Sequence, residues 1–190
     1  MSFRSSLIPS ALLATVPAVV FAHQGHGSGF LSGLGHPVGG MDHLLAMLAV
    51  GLWAAMLGGR AVWALPISFV AAMLAGGALG LSGLPLPGVE PMILASVVLL
   101  GVAAALALRL PMGWAVLAVA AFGLFHGHAH GAEGPQTGLA LYAAGFALAT
   151  MGLHLVGLAL GLGLGRLAAS GTLRMLGLGT ALGGLSLIFG

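Results

Sequence analysis

The chain has 190 residues, of which 59% are hydrophobic and only 4% are Asp, Glu, Lys or Arg. A soluble domain carries about 25% charged residues, so this composition excludes a water-soluble globule and specifies an integral membrane protein. Five arginines against three acids leave a net charge of +2 with no basic patch, which excludes nucleic acid as a partner, and the absence of cysteine excludes disulfides and thiolate metal sites.

Residues 1–22 read as a secretory signal peptide. Arg4 supplies the positive start, Leu7 to Phe21 the apolar core, and Val20-Phe21-Ala22 a small-residue cleavage site with the cut after Ala22. The alternative is an uncleaved first helix, but the run is short for a span of roughly 20 residues. The mature segment 23–190 reads as a single transmembrane domain. It begins with the polar stretch His23-Gln24-Gly25-His26, either a solvated leader or a weak metal collector built on His23, His26 and the new amine.

Six apolar spans follow, at about 41–57, 61–81, 91–108, 112–130, 137–164 and 173–189. Helices are the expected form, because each backbone N–H and C=O must be satisfied within its own segment, and no dyad pattern of a membrane barrel is present. The fold class is therefore all-α, a polytopic membrane protein with six transmembrane helices after a cleaved signal peptide. With the mature N-terminus outside, Arg60, Arg109, Arg166 and Arg174 all fall on the cytoplasmic side, as the positive-inside rule requires. The same count puts both termini, and both histidine-rich stretches, on the external side. In a bacterium this describes a multi-pass inner-membrane protein with periplasmic termini. Glycines four residues apart (Gly123 and Gly127; Gly157, Gly161 and Gly165; Gly179 and Gly183) suit close helix packing in lipid.

The chemistry concentrates in three places. The first is His36-Pro37-Val38-Gly39-Gly40-Met41-Asp42-His43, where an acid stands between imidazoles at the mouth of an apolar run. Such groups are costly at the edge of hydrocarbon without a partner or a task. Pro37, Gly39 and Gly40 argue against a helix through 36–40, so His36 is expected on a bent approach, with Asp42 and His43 in the first turn of a span. Asp42 could also serve as a helix N-terminal partner. Met47 shares a face with His43 as a soft ligand or a packing residue. The second place is the end of the fourth span, where His126, His130 and Glu133 form one stripe on a continuous helix. His128 points away by about 200° and joins only if the helix unwinds. The third is His154, roughly 18 Å from Arg166 at 1.5 Å per residue. At that depth it must be hydrogen-bonded, bound to metal or moving a proton. Glu90 reads as a helix-end acid or a vestibule charge.

Imidazole and carboxylate without thiolate suit a borderline divalent ion such as nickel, cobalt, zinc or copper rather than magnesium or calcium. Ligand imidazoles must be neutral, so binding should weaken as pH falls through about 6.5. The expected ligands are His36, Asp42, His43, His126, His130, Glu133 and His154, with His128, Met47, His23 and His26 as weaker candidates.

The elements His36-Pro37…Gly40-Met41-Asp42-His43…Met47…Val50-Gly51 and Phe125-His126-Gly127-His128-Ala129-His130-Gly131-Ala132-Glu133 are similar to the two motifs of the HupE/UreJ family of bacterial membrane proteins. The resemblance covers nearly the whole mature chain. It implies secondary uptake of nickel(II), in some members cobalt(II), for hydrogenase or urease maturation. Neither a permanently bound cofactor nor enzymatic activity is expected. Its histidine–aspartate motif falls on His36, Asp42 and His43, and its second motif on His126, His130 and Glu133. Two rivals remain open on the residues alone. One is a metal-binding accessory or sensor protein without transport. The other is an intramembrane metallohydrolase, against which stands the absence of an HExxH pattern.

Overall fold

The computed structural model describes residues 29–135, 137–167 and 170–190. The leader, its cleavage site, His23 and His26 lie outside the described residues. Seven helices follow in order: α1 Phe30–Gly39, α2 Met41–Leu57, α3 Ala61–Leu81, α4 Val89–Ala105, α5 Met112–Glu133, α6 Leu139–Leu167 and α7 Ser170–Phe189. No strand occurs among the described residues. Each apolar run predicted as a span is a helix. The turns between helices fall where glycine and proline allow a reversal. Between α2 and α3, for example, Gly58 and Gly59 both adopt positive φ, at 68° and 53°.

Four helices, α3, α5, α6 and α7, are long and apolar enough to cross a membrane, and the bent pair α1–α2 brings the number to five. α4 has 17 residues, about 26 Å of helix against a hydrocarbon core of about 30 Å. It stands at the short limit.

The expectation that residues 36–40 are not helical is corrected here. α1 runs through His36 and Pro37 to Gly39, and the chain breaks only at Gly40, where extended backbone (φ −112°, ψ 124°) turns it by 87° into α2. Pro37 forfeits one backbone bond. Packing compensates, because α1 lies directly on α6. Gly33 sits on the backbone of Tyr142 and Gly145 on the backbone of Phe30, with no room at either for a Cβ.

The bundle is built of closely apposed pairs, α3 with α5, α2 with α6 and α4 with α7. In the first pair Gly123, Gly127 and Gly131 rest on the backbone of Phe69, Met73 and Gly77, while Gly76 and Gly80 rest on Leu124 and His128. These rising matched numbers make α3 and α5 parallel. α2 and α6 are also parallel, through Gly157 on Leu48 and Gly161 on Leu52 and Ala55. α4 and α7 are antiparallel, through Gly101 on Ala181 and Gly177 on Ala105. The expected glycine rows hold for Gly123–Gly127 and Gly157–Gly161. On α7 Gly183 is tightly packed, since a Cβ there would stand 2.9 Å from Leu45, and Gly177 and Gly184 lie against α4, while Gly179 meets nothing within 4 Å.

Two long-range ties define the ends. Trp53 Nε1 donates to the carbonyl of Leu108 at 2.9 Å, joining the end of α2 to the α4–α5 loop. Exposed Arg60 and Arg109 stand at this end. At the opposite end His128 Nε2 donates to the carbonyl of Leu84 at 2.8 Å, joining α5 to the α3–α4 turn. The core between them holds Met47, Val50, Trp53, Leu65, Phe69, Met73, Val97 and Val119.

Candidate metal-handling site

The 87° bend at Gly40 sets the site. It swings α1 across the end of the bundle away from the arginines, so that His36 on α1, His43 in the first turn of α2, and His126 and His130 on successive turns of α5 meet. The ring of His130 lies 4.5 Å from that of His36 and 4.4 Å from that of His43, and the rings of His43 and His126 are 4.7 Å apart. His43 and His130 face each other through their Nε2 atoms. Phe146 of α6 packs against both His36 and His130, and Tyr142 against His36.

Hydrogen bonds decide which ring atoms are available. Asp42 Oδ1 accepts from the His43 backbone N–H and from His43 Nδ1, both at 2.8 Å. An ionised carboxylate only accepts, so Nδ1 of His43 carries the proton and Nε2 presents its lone pair towards His130. A carboxylate behind an imidazole is a recurrent way of orienting a metal ligand and raising its basicity. Asp42 therefore orients His43. Gly40 permits the pairing, since a Cβ there would stand 2.7 Å from Asp42 Oδ1.

His126 is fully buried. Its Nε2 lies 2.9 Å from Ser96 Oγ on α4, and its Nδ1 has no hydrogen-bond partner among the described residues. His154 on α6 is also fully buried, and neither of its ring nitrogens has a partner there. Leaving a buried polar atom unmatched costs about 1–3 kcal/mol, so these three nitrogens call for a role. Phe69 stands between the two histidines, 5.5 Å from the ring of His126 and 5.0 Å from that of His154. Beyond it Thr150, one turn from His154, bonds its hydroxyl to Met73 Sδ at 3.6 Å. A cavity of about 260 Å³ opens beside the cluster between α3, α5 and α6, with His130, Tyr142 and Phe146 in its wall.

The remaining predicted residues take other places on these helices. Glu133 is the last residue of α5 and is exposed. His128 is the α5 tether to Leu84, on a different face from His126 and His130. Met47 is fully buried within the core. Glu90 is exposed in the first turn of α4. Among the described residues no three His, Asp or Glu side chains already form a group able to hold a metal ion. The imidazoles contact one another instead.

Sequence reasoning passed over Ser96, Tyr142, Phe69 and Phe146. Ser96 carried a faint signal as a hydroxyl within an otherwise apolar helix, and Tyr142 as the sole tyrosine of the chain. The two phenylalanines carried none.

The fold and site define a polytopic α-helical membrane protein with an imidazole-rich cluster at one end of the bundle. The family model described as HupE / UreJ protein matches residues 11–187. The chain is also 44% identical over 192 residues to Protein HupE of Rhizobium leguminosarum bv. viciae, an alignment that covers 98% of this chain and 100% of that protein. The chain belongs to the HupE/UreJ family. No solved structure matches it.

Proposed function

We propose that the protein is a permease that takes up nickel(II), or cobalt(II), from the periplasm into the cytoplasm and so supplies hydrogenase or urease maturation. In this reading the signal peptide is cleaved, α1 and α2 act together as one bent span, and α4 completes six crossings of the inner membrane. The histidine end then faces the periplasm and the arginine end the cytoplasm. The observation that carries the reading is the meeting of His36, His43, His126 and His130 from three helices beside a buried imidazole nitrogen without a partner.

The ion sheds part of its water at the cluster, where it takes the lone pair of His43 Nε2 in place of the hydrogen bond from His130, whose ring keeps its own proton. Neutral imidazoles hold it without trapping it, as conduction requires. Glu133 and Glu90 at the same end attract the cation before it binds. From His126 the ion passes Phe69 to His154, whose two unpartnered nitrogens form the next station, and leaves toward Arg60 and Arg109.

Nickel uptake by cells expressing Asp42→Ala or His126→Ala at wild-type levels tests the assignment. Uptake should fall at least tenfold in each. Wild-type uptake in both would sink it. A competition series of nickel, cobalt and zinc in proteoliposomes of the purified protein separates a permease from a binding protein and ranks the ions.

A further inference from the structure

We propose that Ser96 is a positioning residue that fixes His126 as its Nε2–H tautomer and thereby dedicates Nδ1 as the atom His126 offers to the ion. The inference deepens the permease reading and rests on it for the identity of the ion.

Ser96 is fully buried in the middle of α4, on a helix that contributes no histidine. Its Oγ donates to the carbonyl of Ile93, three residues back, at 2.6 Å. Serine within a helix commonly makes such a bond to the preceding turn. A hydroxyl has one proton, and a carbonyl has none to return. With that proton committed to Ile93, Ser96 Oγ can only accept, so the proton in its 2.9 Å contact with His126 Nε2 belongs to the imidazole. A neutral imidazole carries a single ring proton, which leaves Nδ1 with its lone pair. Nδ1 is the nitrogen that is buried without a partner. The two ring nitrogens diverge, so holding Nε2 on α4 also fixes the plane of the ring and the direction of the free lone pair.

Histidines that bind metals usually donate their second N–H to an acceptor that sets tautomer and orientation, and losing that acceptor costs 10–100-fold in affinity or activity. Asp42 fills this position behind His43, through Nδ1. Ser96 fills it behind His126, through Nε2. The two histidines therefore present opposite ring atoms, Nε2 from His43 and Nδ1 from His126. A neutral hydroxyl behind His126 also withholds the added basicity that a carboxylate confers, which suits a station the ion must leave.

The test uses the full chain in lipid nanodiscs with ¹⁵N-labelled histidine, the His126 signals being assigned by their loss in His126→Gln. Wild-type protein should show His126 protonated at Nε2, and Ser96→Ala should show mixed tautomers. With nickel(II) as the probe, Ser96→Ala should bind about 10–100-fold more weakly. Its half-saturating concentration for uptake should rise by a similar factor, and Ser96→Thr, which keeps the hydroxyl and its bond to Ile93, should restore both. A proton on Nδ1 of wild-type His126, or wild-type nickel affinity in Ser96→Ala, overturns the proposal. The wild-type spectrum decides the tautomer even if Ser96→Ala does not fold. It also requires no transport, so absence of nickel flux in wild-type protein would count against the permease reading alone.

Discussion

His154 holds two unmatched imidazole nitrogens in the interior of a helical bundle, and their cost has a measurable consequence. Replacing a buried polar group that has no partner by an apolar one of similar size removes a desolvation penalty of about 1–3 kcal/mol. His154→Leu should therefore leave the thermal unfolding midpoint in detergent unchanged or raise it, while nickel uptake falls at least tenfold. Stability and function separate in opposite directions only if His154 is kept for the ion. A His154→Leu protein that unfolds several degrees earlier would instead mark the ring as a structural contact with Phe69. Asp42 differs in kind, because both of its bonds go to His43 and its loss would leave that imidazole unoriented.

At the scale of the helix pair, α3 and α5 meet backbone to backbone, and this contact aims His126 and His130 at α2. Gly127 lies directly on the carbonyl of Met73, one residue after His126. Gly127→Ala should push the two helices apart and cost about 1–3 kcal/mol or more, as overpacking does, with loss of uptake. Gly152→Ala on α6 meets nothing within 4 Å and should be neutral or stabilising by up to about 1 kcal/mol. Thermal unfolding of both variants in one detergent checks the contrast, and equal losses would show that the tight α3–α5 contact is not what decides. The helices themselves were legible because hydrocarbon admits few backbone forms, and the histidine spacing of 126 and 130 gave the correct shared face. α1 was not legible. Pro37 and the neighbouring glycines argue locally against a helix, and only the contact of Gly33 and Gly145 across α1 and α6 explains why it forms. Ser96 was equally hidden, since its value comes from facing His126 across 30 positions of chain.

At the scale of the whole molecule, the charges among the described residues lie near the helix ends. Asp42 and Glu90 lie in first turns, Glu133 closes α5, and Arg60 and Arg109 stand in the turns of the other end. Between them the donors on the inferred path are His126, His154, Thr150 and Met73, all free of formal charge at neutral pH apart from proton uptake by imidazole. A dication moving through neutral ligands carries its full charge across the field. Two charges gain about 4.6 kcal/mol per 100 mV, which corresponds to roughly three decades of accumulation without a nucleotide-driven motor. Proteoliposomes clamped with potassium and valinomycin provide the measurement. An inside-negative potential should accelerate nickel entry from the histidine end, a reversed potential should abolish accumulation, and the charge moved per nickel should be close to two. Among the described residues the proton acceptors on the inferred path inside the bundle are the imidazoles that hold the ion, so obligatory exchange for two protons would require His126 and His154 to empty and protonate in alternation. Entry unaffected by potential but driven by a pH gradient would establish that exchange and refute the uncompensated dication path.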